Sequence, residues 1–289
     1  ENNMALFSDV LLTVDFDRTL TAPDSTIPQR NVDAISYFIA NGGSFTVNTG
    51  RSLPMTQVFR DVVPVNAPLL LYNGSAAYDL SRKAFTFLHR IPLDQEETIR
   101  KLQAAFPGLA LEMQGLDAHY AFAEDPAWDA FCQNNHCAMG HAHPGDDLGP
   151  FLKLSLYAPI SIDNPTVASL FDATPETLAR FDDVEDRLRR LLGDACEVFR
   201  AAPLILDIHA KGVSKIRSAR QLQQQLGKKI LICVGDGEND LPMLEGADYA
   251  FTPADAIVAS RFPNVCPCAE GAVADVIYKK IPEILRNIP

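Results

Sequence analysis

Short apolar runs and amphipathic periods alternate along the first third of the chain. Val10-Leu11-Leu12-Thr13-Val14 is an apolar run with β-branched residues, the pattern of a strand buried on both faces. From Pro28 onward apolar residues fall at Val32, Ile35, Phe38 and Ile39, the spacing of an amphipathic helix, which Asn41-Gly42-Gly43 ends. Ser44-Phe45-Thr46-Val47-Asn48 reads as a second strand, and a helical stretch follows from about Pro54 to Val62. Pro68-Leu69-Leu70-Leu71-Tyr72 reads as a third strand, ending at Asn73-Gly74. The rhythm returns late, with a helix from Ser214 that turns Ile216, Ala219, Leu222 and Leu226 inward. A strand Ile230-Leu231-Ile232-Cys233-Val234 then leads into Gly235-Asp236. Strands alternating with helices predict an α/β fold with a doubly wound parallel sheet. Right-handed crossovers place the carboxyl ends of its strands on one edge, where ligands bind.

Between these stretches, from about Lys83 to Ile208, the pattern changes. Leu93 to Phe106 reads as a helix closed by Pro107-Gly108, Leu152 to Tyr157 as a strand, and Thr177 to Leu192 as a highly charged helix. An inserted α+β domain is expected at 84–208, splitting a core domain into 1–83 and 209–289. A chain of 289 residues, 47% hydrophobic, has the material for two such cores. Its formal net charge of -12 argues against broad binding to nucleic acid or to anionic membranes, which need a basic surface. No apolar stretch approaches the roughly 20 residues of a membrane helix, and no signal pattern opens the chain, so a soluble, cytoplasmic protein is expected. Glu1-Asn2-Asn3 ahead of Met4 is read as an added remnant or equally as a trimmed natural start, and is given no function. Six cysteines in this length are too sparse for a disulfide scaffold and are expected to be reduced.

Chemistry concentrates at the predicted strand ends. Asp15 and Asp17 follow the first apolar run, separated by one residue, where each would lose hydration and repel the other. A divalent cation relieves that cost, leaving Asp15 ionised as a nucleophile and Asp17 able to exchange a proton. An isolated Asp-x-Asp-x-Thr is more simply a helix cap or an Asx turn. The odds change with Gly235-Asp236-Gly237-Glu238-Asn239-Asp240 after a second strand, where Asp236 and Asp240 can complete an oxygen-only shell suited to magnesium. The alternating ligands of an EF-hand loop are missing there. Thr49, at the end of its strand, can grip a phosphoryl oxygen. Lys215, at the amino end of a helix, opposes the helix dipole and so calls for an anionic partner, with Lys211 as its rival. Carboxylates, a hydroxyl and an ammonium in these places are the equipment for magnesium-dependent phosphoryl transfer through an aspartyl phosphate.

These segments, in this order, resemble the haloacid dehalogenase superfamily of phosphatases, and the insertion resembles the class IIB cap of its Cof-type branch. The resemblance implies a Rossmann-like core with an inserted α+β cap domain. It implies that Asp15 attacks phosphorus, that Asp17 is general acid and base, and that Thr49 and Lys215 hold the transferring group. Asp15, Asp17 and Asp236 would hold Mg2+, with Asp240 and Asn239 supporting the metal and its loop. Asp240 is carried as a metal candidate, and Phe16, Gly50, Arg51, Asn73 and Asn239 join Thr49 and Lys215 as substrate-binding candidates. Lys215 is preferred over Lys211 because Gly-Val-Ser-Lys opening a helix is the closer likeness. The chain departs from the family at Ala250 to Ala256, where a Met-x-Asn-Ala stretch would stand, and between Pro159 and Thr177.

The expected function is hydrolysis of a small phosphorylated metabolite, a sugar phosphate or related monoester. A phosphomutase of the phosphomannomutase type is the alternative on the same chassis, and a non-catalytic phosphometabolite-binding protein the alternative from another class. Cys132, His136, Cys137, His141 and His143 form a second cluster, in the insertion. Thiolates and imidazoles could hold zinc, but these spacings match no common finger, and the cluster is read as an irregular polar segment. Cys266 and Cys268 are read as unrelated thiols.

Overall fold

The computed structural model describes residues 5–134, 137–158, 163 and 173–288. In chain order its strands and helices are β1 (Val10–Val14), α1 (Gln29–Ala40), β2 (Ser44–Val47), α2 (Gln57–Arg60), β3 (Leu69–Leu71), β4 (Ala76–Asp79), β5 (Ala84–Leu88), α3 (Gln95–Ala105), β6 (Ala110–Gln114), β7 (His119–Ala121), α4 (Pro126–Asn134), β8 (Met139–His141), β9 (Leu154–Tyr157), α5 (Pro175–Leu192), β10 (Cys196–Ala202), β11 (Ile205–Ala210), α6 (Lys215–Gln225), β12 (Ile230–Val234), α7 (Leu241–Gly246), β13 (Tyr249–Pro253), β14 (Asn264–Val265), α8 (Ala272–Asp275) and α9 (Ile281–Asn287). The chain divides into two compact units. One comprises Glu1–Gly50, Phe59–Phe87 and Ser214–Pro289, the other Arg51–Val58 and Leu88–Val213.

The first unit is built on a sheet of order β14-β13-β12-β1-β2, parallel throughout. Every residue of β1 is buried, as its unbroken apolar run requires of a central strand covered on both faces. Val14 pairs with Val234 on one side and with Val47 on the other. That register sets the next residues, Asp15, Gly235 and Asn48, side by side at the carboxyl edge. A bridge from Asn48 to Leu70 continues the edge to β3, which forms a small sheet with β4 and β5. Leu11, Leu70, Ala219, Leu222, Leu231 and Met243 pack together in one buried cluster. Each fully buried leucine there contributes about 2 kcal/mol of transfer free energy.

Two helices depart from the expected faces. On α1 the buried side is Asn31, Ala34, Ile35 and Phe38, with Val32 and Ile39 half-buried. Asn31 is accommodated because its amide donates to the Leu20 carbonyl (3.0 Å) and accepts from the Ala274 N–H (2.9 Å). On α6, Ala219 and Leu222 are buried as expected, but Leu226 lies at the helix end and is exposed.

The second unit carries a sheet of order β10-β11-β9-β6-β7-β8, antiparallel except between β7 and β8. Helices α3 and α5 give Ile99, Leu102, Phe181 and Leu188 to a core that also takes Leu111, Leu156 and Leu206 from the sheet. Caps explain where both helices begin: Asp94 accepts from the Glu97 N–H and Thr174 from the Thr177 N–H. The boundary expected at 208/209 falls inside β11, whose pairing with β10 carries the second unit on to Val213. Residues 84–87 stay with the first unit, because β5 lies beside β4. Arg51–Val58, expected in the core domain, groups with the second unit. Among the described residues no helix is long and apolar enough to cross a membrane.

Candidate active site

The carboxyl edge of β1, β2 and β12 gathers the polar residues of the first unit. Asp15 follows β1 directly and its N–H donates to the Val234 carbonyl, so the sheet ladder itself fixes its backbone. The chain then turns sharply, with Arg18 at φ 61°. The Phe16 ring is buried against Phe59, centroids 4.6 Å apart, so a substrate contact at this position would come from its main chain. Asp17 is exposed, and Thr19 is fully buried. The Thr19 hydroxyl donates to Oδ1 of Asp236 at 3.1 Å, joining the first motif to the last.

Lys215 opens α6 with its side chain 1% exposed. Its Nζ lies 2.6 Å from Asp15 Oδ1 and 2.6 Å from Asp240 Oδ1. These two carboxylates offset the unfavourable placement of a cation at a helix amino end. The backbone of Lys215 is held as well, since its carbonyl accepts from Asn48 Nδ2 (2.9 Å) and from Ser218 Oγ (3.0 Å). Ser214 caps the helix by accepting from the Arg217 N–H. Lys211, the rival candidate, belongs to the second unit and pairs there with Glu197 at 3.5 Å, its side chain 56% exposed.

After β12 the loop from Gly235 folds back on Asp240. Oδ2 of Asp240 accepts from the N–H groups of Asp236 (2.9 Å) and Gly237 (3.1 Å), while Oδ1 receives the Lys215 ammonium. A Cβ at Gly235 would come within 2.7 Å of the Asp240 side chain, so only glycine leaves room for this closure. Both oxygens of Asp240 are engaged inside the protein. Asn239 is half-buried beside it.

Three carboxylates, from Asp15, Asp236 and Asp240, place one oxygen each within 4.8 Å of one another, all buried. Burial, then the Asp240 charge, push Asp15 well above the usual carboxylate range despite the neighbouring ammonium. The same two causes, in the same order, raise Asp236 to about 7. Burial alone would lower Lys215, but Asp15 and Asp240 outweigh it and hold the ammonium above its ordinary value. With all three carboxylates ionised beside the one ammonium, the buried cluster would carry two negative charges, so burial and that charge together make Asp15 and Asp236 hold protons more tightly than usual. Oxygen donors with that excess charge fit a hard divalent cation, which Asp15 and Asp236 could hold, with Asp240 beside them already engaged by Lys215 and by its own loop.

Thr49 is buried at the end of β2, where its N–H donates to the Leu70 carbonyl and its carbonyl accepts from the Asn73 N–H. Gly50 is half-buried and Asn73 buried, the latter at φ 55°. Gly74, at φ +98°, faces the Ser214 carbonyl so closely that a side chain would collide with it. Arg51 falls in the second unit, where its guanidinium donates to the Met55 carbonyl. Two positioning residues had no assigned role in the sequence reading. Asn48 ends the second predicted strand and Thr19 closes Asp-x-Asp-x-Thr, but nothing in their type distinguishes a strap on a neighbouring loop from a turn residue. Of the second cluster, Cys132 and Cys137 are brought together, with His119 as their neighbour. His141 instead pairs with Asp129 at 2.9 Å, His143 is 92% exposed, and His136 lies outside the described residues.

A family model described as haloacid dehalogenase-like hydrolase matches residues 12–277. Among curated proteins, a candidate phosphatase of Buchnera aphidicola is 22% identical over 257 residues, 88% of this chain and 88% of its own length. Among solved structures, a haloacid dehalogenase-like hydrolase from Bacteroides thetaiotaomicron aligns with a TM-score of 0.76 at 19% identity, covering 93% of this chain and 98% of that one. A structure described as a subclass IIB sugar phosphatase of the superfamily aligns with a TM-score of 0.72 at 17% identity, covering 94% and 99%. The solved structures share the fold over nearly the whole chain, the family model spans residues 12–277, and the chain belongs to the haloacid dehalogenase-like hydrolase family.

Proposed function

We propose that this hydrolase is a magnesium-dependent phosphatase that cleaves small phosphate monoesters, sugar phosphates foremost, through an aspartyl phosphate on Asp15. The observation that carries the reading is the Lys215 ammonium shared at 2.6 Å by Asp15 and Asp240, beside Asp236. Relatives named for phosphatase activity, one of them a sugar phosphatase, support it.

Asp15, Asp236 and the Asp17 carbonyl would hold the Mg2+, which supplies charge neutralisation for the phosphoryl oxygens. The chain's own groups do the rest. Lys215 engages Oδ1 of Asp15 and so leaves Oδ2 as the oxygen that attacks phosphorus. As the P–O bond to the alcohol breaks, Asp17 donates a proton to the departing oxygen. Asp17 then takes a proton from water, whose oxygen attacks the acyl phosphate, releasing inorganic phosphate and restoring the Asp15 carboxylate. Exposure of Asp17 suits a group that exchanges protons twice per cycle. The Thr49 hydroxyl and the Phe16 main chain orient the phosphoryl oxygens, and the Lys215 ammonium offsets their charge as it spreads in the transition state.

The test is phosphate release across a panel of phosphorylated metabolites, with Mg2+ and with chelator. Release from one or more monoesters, lost with chelator and restored by Mg2+, is expected. Folded protein that releases no phosphate from any monoester in Mg2+ would overturn the proposal.

A further inference from the structure

The second unit contains a buried cluster for which the phosphatase chemistry has no use. His119, Cys132 and Cys137 each place a nitrogen or sulfur within 4.8 Å of the other two, and all three side chains are buried. Tetrahedral zinc with bonds of about 2.0–2.3 Å requires donors about 3.5 Å apart, so only a small contraction separates this arrangement from a coordination shell.

Sheet register and a turn assemble it. His119 opens β7 opposite Gln114 of β6, and its N–H donates to the Ala138 carbonyl at 2.9 Å. Cys132 sits in the last turn of α4, and the Cys137 N–H donates back to the Cys132 carbonyl at 3.0 Å, which brings the two thiols together. Both ring nitrogens of His119 have an oxygen neighbour: Ser52 Oγ at 2.7 Å from Nε2 and Glu112 Oε2 at 3.6 Å from Nδ1. The nitrogen that turns to the metal would give up its oxygen neighbour, and the other would keep one, the outer-shell support that metal-ligating histidines use. Glu112 is fixed in turn by Trp128 Nε1 (2.7 Å) and Gln114 Nε2 (2.8 Å). The Tyr157 hydroxyl, in the buried packing cluster that also holds Cys132 and Cys137, is 4% exposed and has no hydrogen-bond partner among the described residues.

We infer that His119, Cys132 and Cys137 form a zinc site in the second unit, separate from the carboxylate cluster of the first. Two sulfurs and an imidazole select zinc over the hard cations that oxygen-only sites prefer. A simple disulfide would need only the two sulfurs and would leave the imidazole with its carboxylate support unexplained. Zinc here would clamp β7 and the end of α4 against one another.

The experiment uses the full chain, purified under reductant, stripped with chelator and titrated with Zn2+ against a chromophoric competitor, then with Co2+. About one equivalent of zinc per chain and a thiolate-to-cobalt charge-transfer band are expected. An oxygen-only site such as that of Asp15 and Asp236 cannot give this band. Cys137→Ser and His119→Gln should each lower zinc affinity by 100-fold or more, Glu112→Gln by roughly 10- to 100-fold, and Cys266→Ser should leave it unchanged. If the cluster variants fail to fold, the wild-type cobalt spectrum decides alone. Reduced wild-type protein that takes up no stoichiometric zinc and shows no charge-transfer band overturns the site. So does a band that survives intact in folded Cys137→Ser.

Discussion

Replacing Asp236 with asparagine should make the metal-free protein more stable at neutral pH, although it removes a residue central to the proposed chemistry. Asparagine keeps the carbonyl oxygen that accepts from Thr19 but carries no charge beside Asp15 and Asp240. Burial and then the Asp240 charge push the folded Asp236 carboxyl up to about 7, from an ordinary value of 3.8. Between those values the folded state binds the proton more tightly, so stability is highest below the unfolded value and falls as pH rises through 7. Each pH unit in that interval removes about 1.4 kcal/mol, so wild type should lose roughly 2 kcal/mol relative to the variant between about pH 5.5 and 7. Above about 7.5 the difference should level off. Thermal unfolding of both proteins in chelator, at half-unit pH steps, measures this directly, and the expected divergence is several degrees in Tm. Mg2+ should then raise the wild-type Tm at pH 7.5 and do little for the variant. Parallel Tm curves across this range, or a variant that falls below wild type as pH rises, would refute the claim that the cluster is electrostatically strained.

Further tests follow from single contacts. Asp15→Asn should retain the wild-type circular dichroism spectrum while turnover of a generic phosphate ester falls by roughly 10⁴-fold or more, as expected when a nucleophile is lost. Lys215→Met should lower stability by about 3–5 kcal/mol in chelator, read by denaturant titration, because it strands two buried carboxylates. Gly74→Ala should cost at least about 1–3 kcal/mol, since φ +98° and the Ser214 carbonyl both exclude a Cβ; a Tm within a degree of wild type would count against that geometry.

The first unit was legible because its chemistry follows unbroken apolar runs. Val10–Val14 and Ile230–Val234 can only be central strands, and residues that follow such strands are bound to share an edge. Lys215 was told from Lys211 by the likeness of Gly-Val-Ser-Lys opening a helix, and the Ser214 cap is what the structure adds. The role of Asp240 was harder to read, because a carboxylate four residues after Asp236 can face a cation or fold back onto its own loop. In the structure it does fold back over Gly235, while one of its oxygens stays within the acidic cluster. In the second unit, short strands with polar and apolar residues intermixed do not announce their partners, so the order β10-β11-β9-β6-β7-β8 could not be derived. His119 escaped notice for the same reason: it lies far from the cysteines along the chain, and sheet register delivers it to them. His141 and His143 looked closer in sequence, but strand alternation and an exposed turn direct them elsewhere.

The pairing of Val14 with both Val47 and Val234 also separates what can vary from what cannot. Distances among Asp15, Asn48 and Gly235 are dictated by ladder geometry, which is indifferent to how many residues intervene between one strand and the next. Lineages could therefore lengthen, trim or rewrite the excursion from Leu88 to Val213 to suit new molecules while the reacting groups stayed put. A one-residue slip of a single strand, by contrast, would rotate its side chains to the opposite face and dismantle the machinery at a stroke.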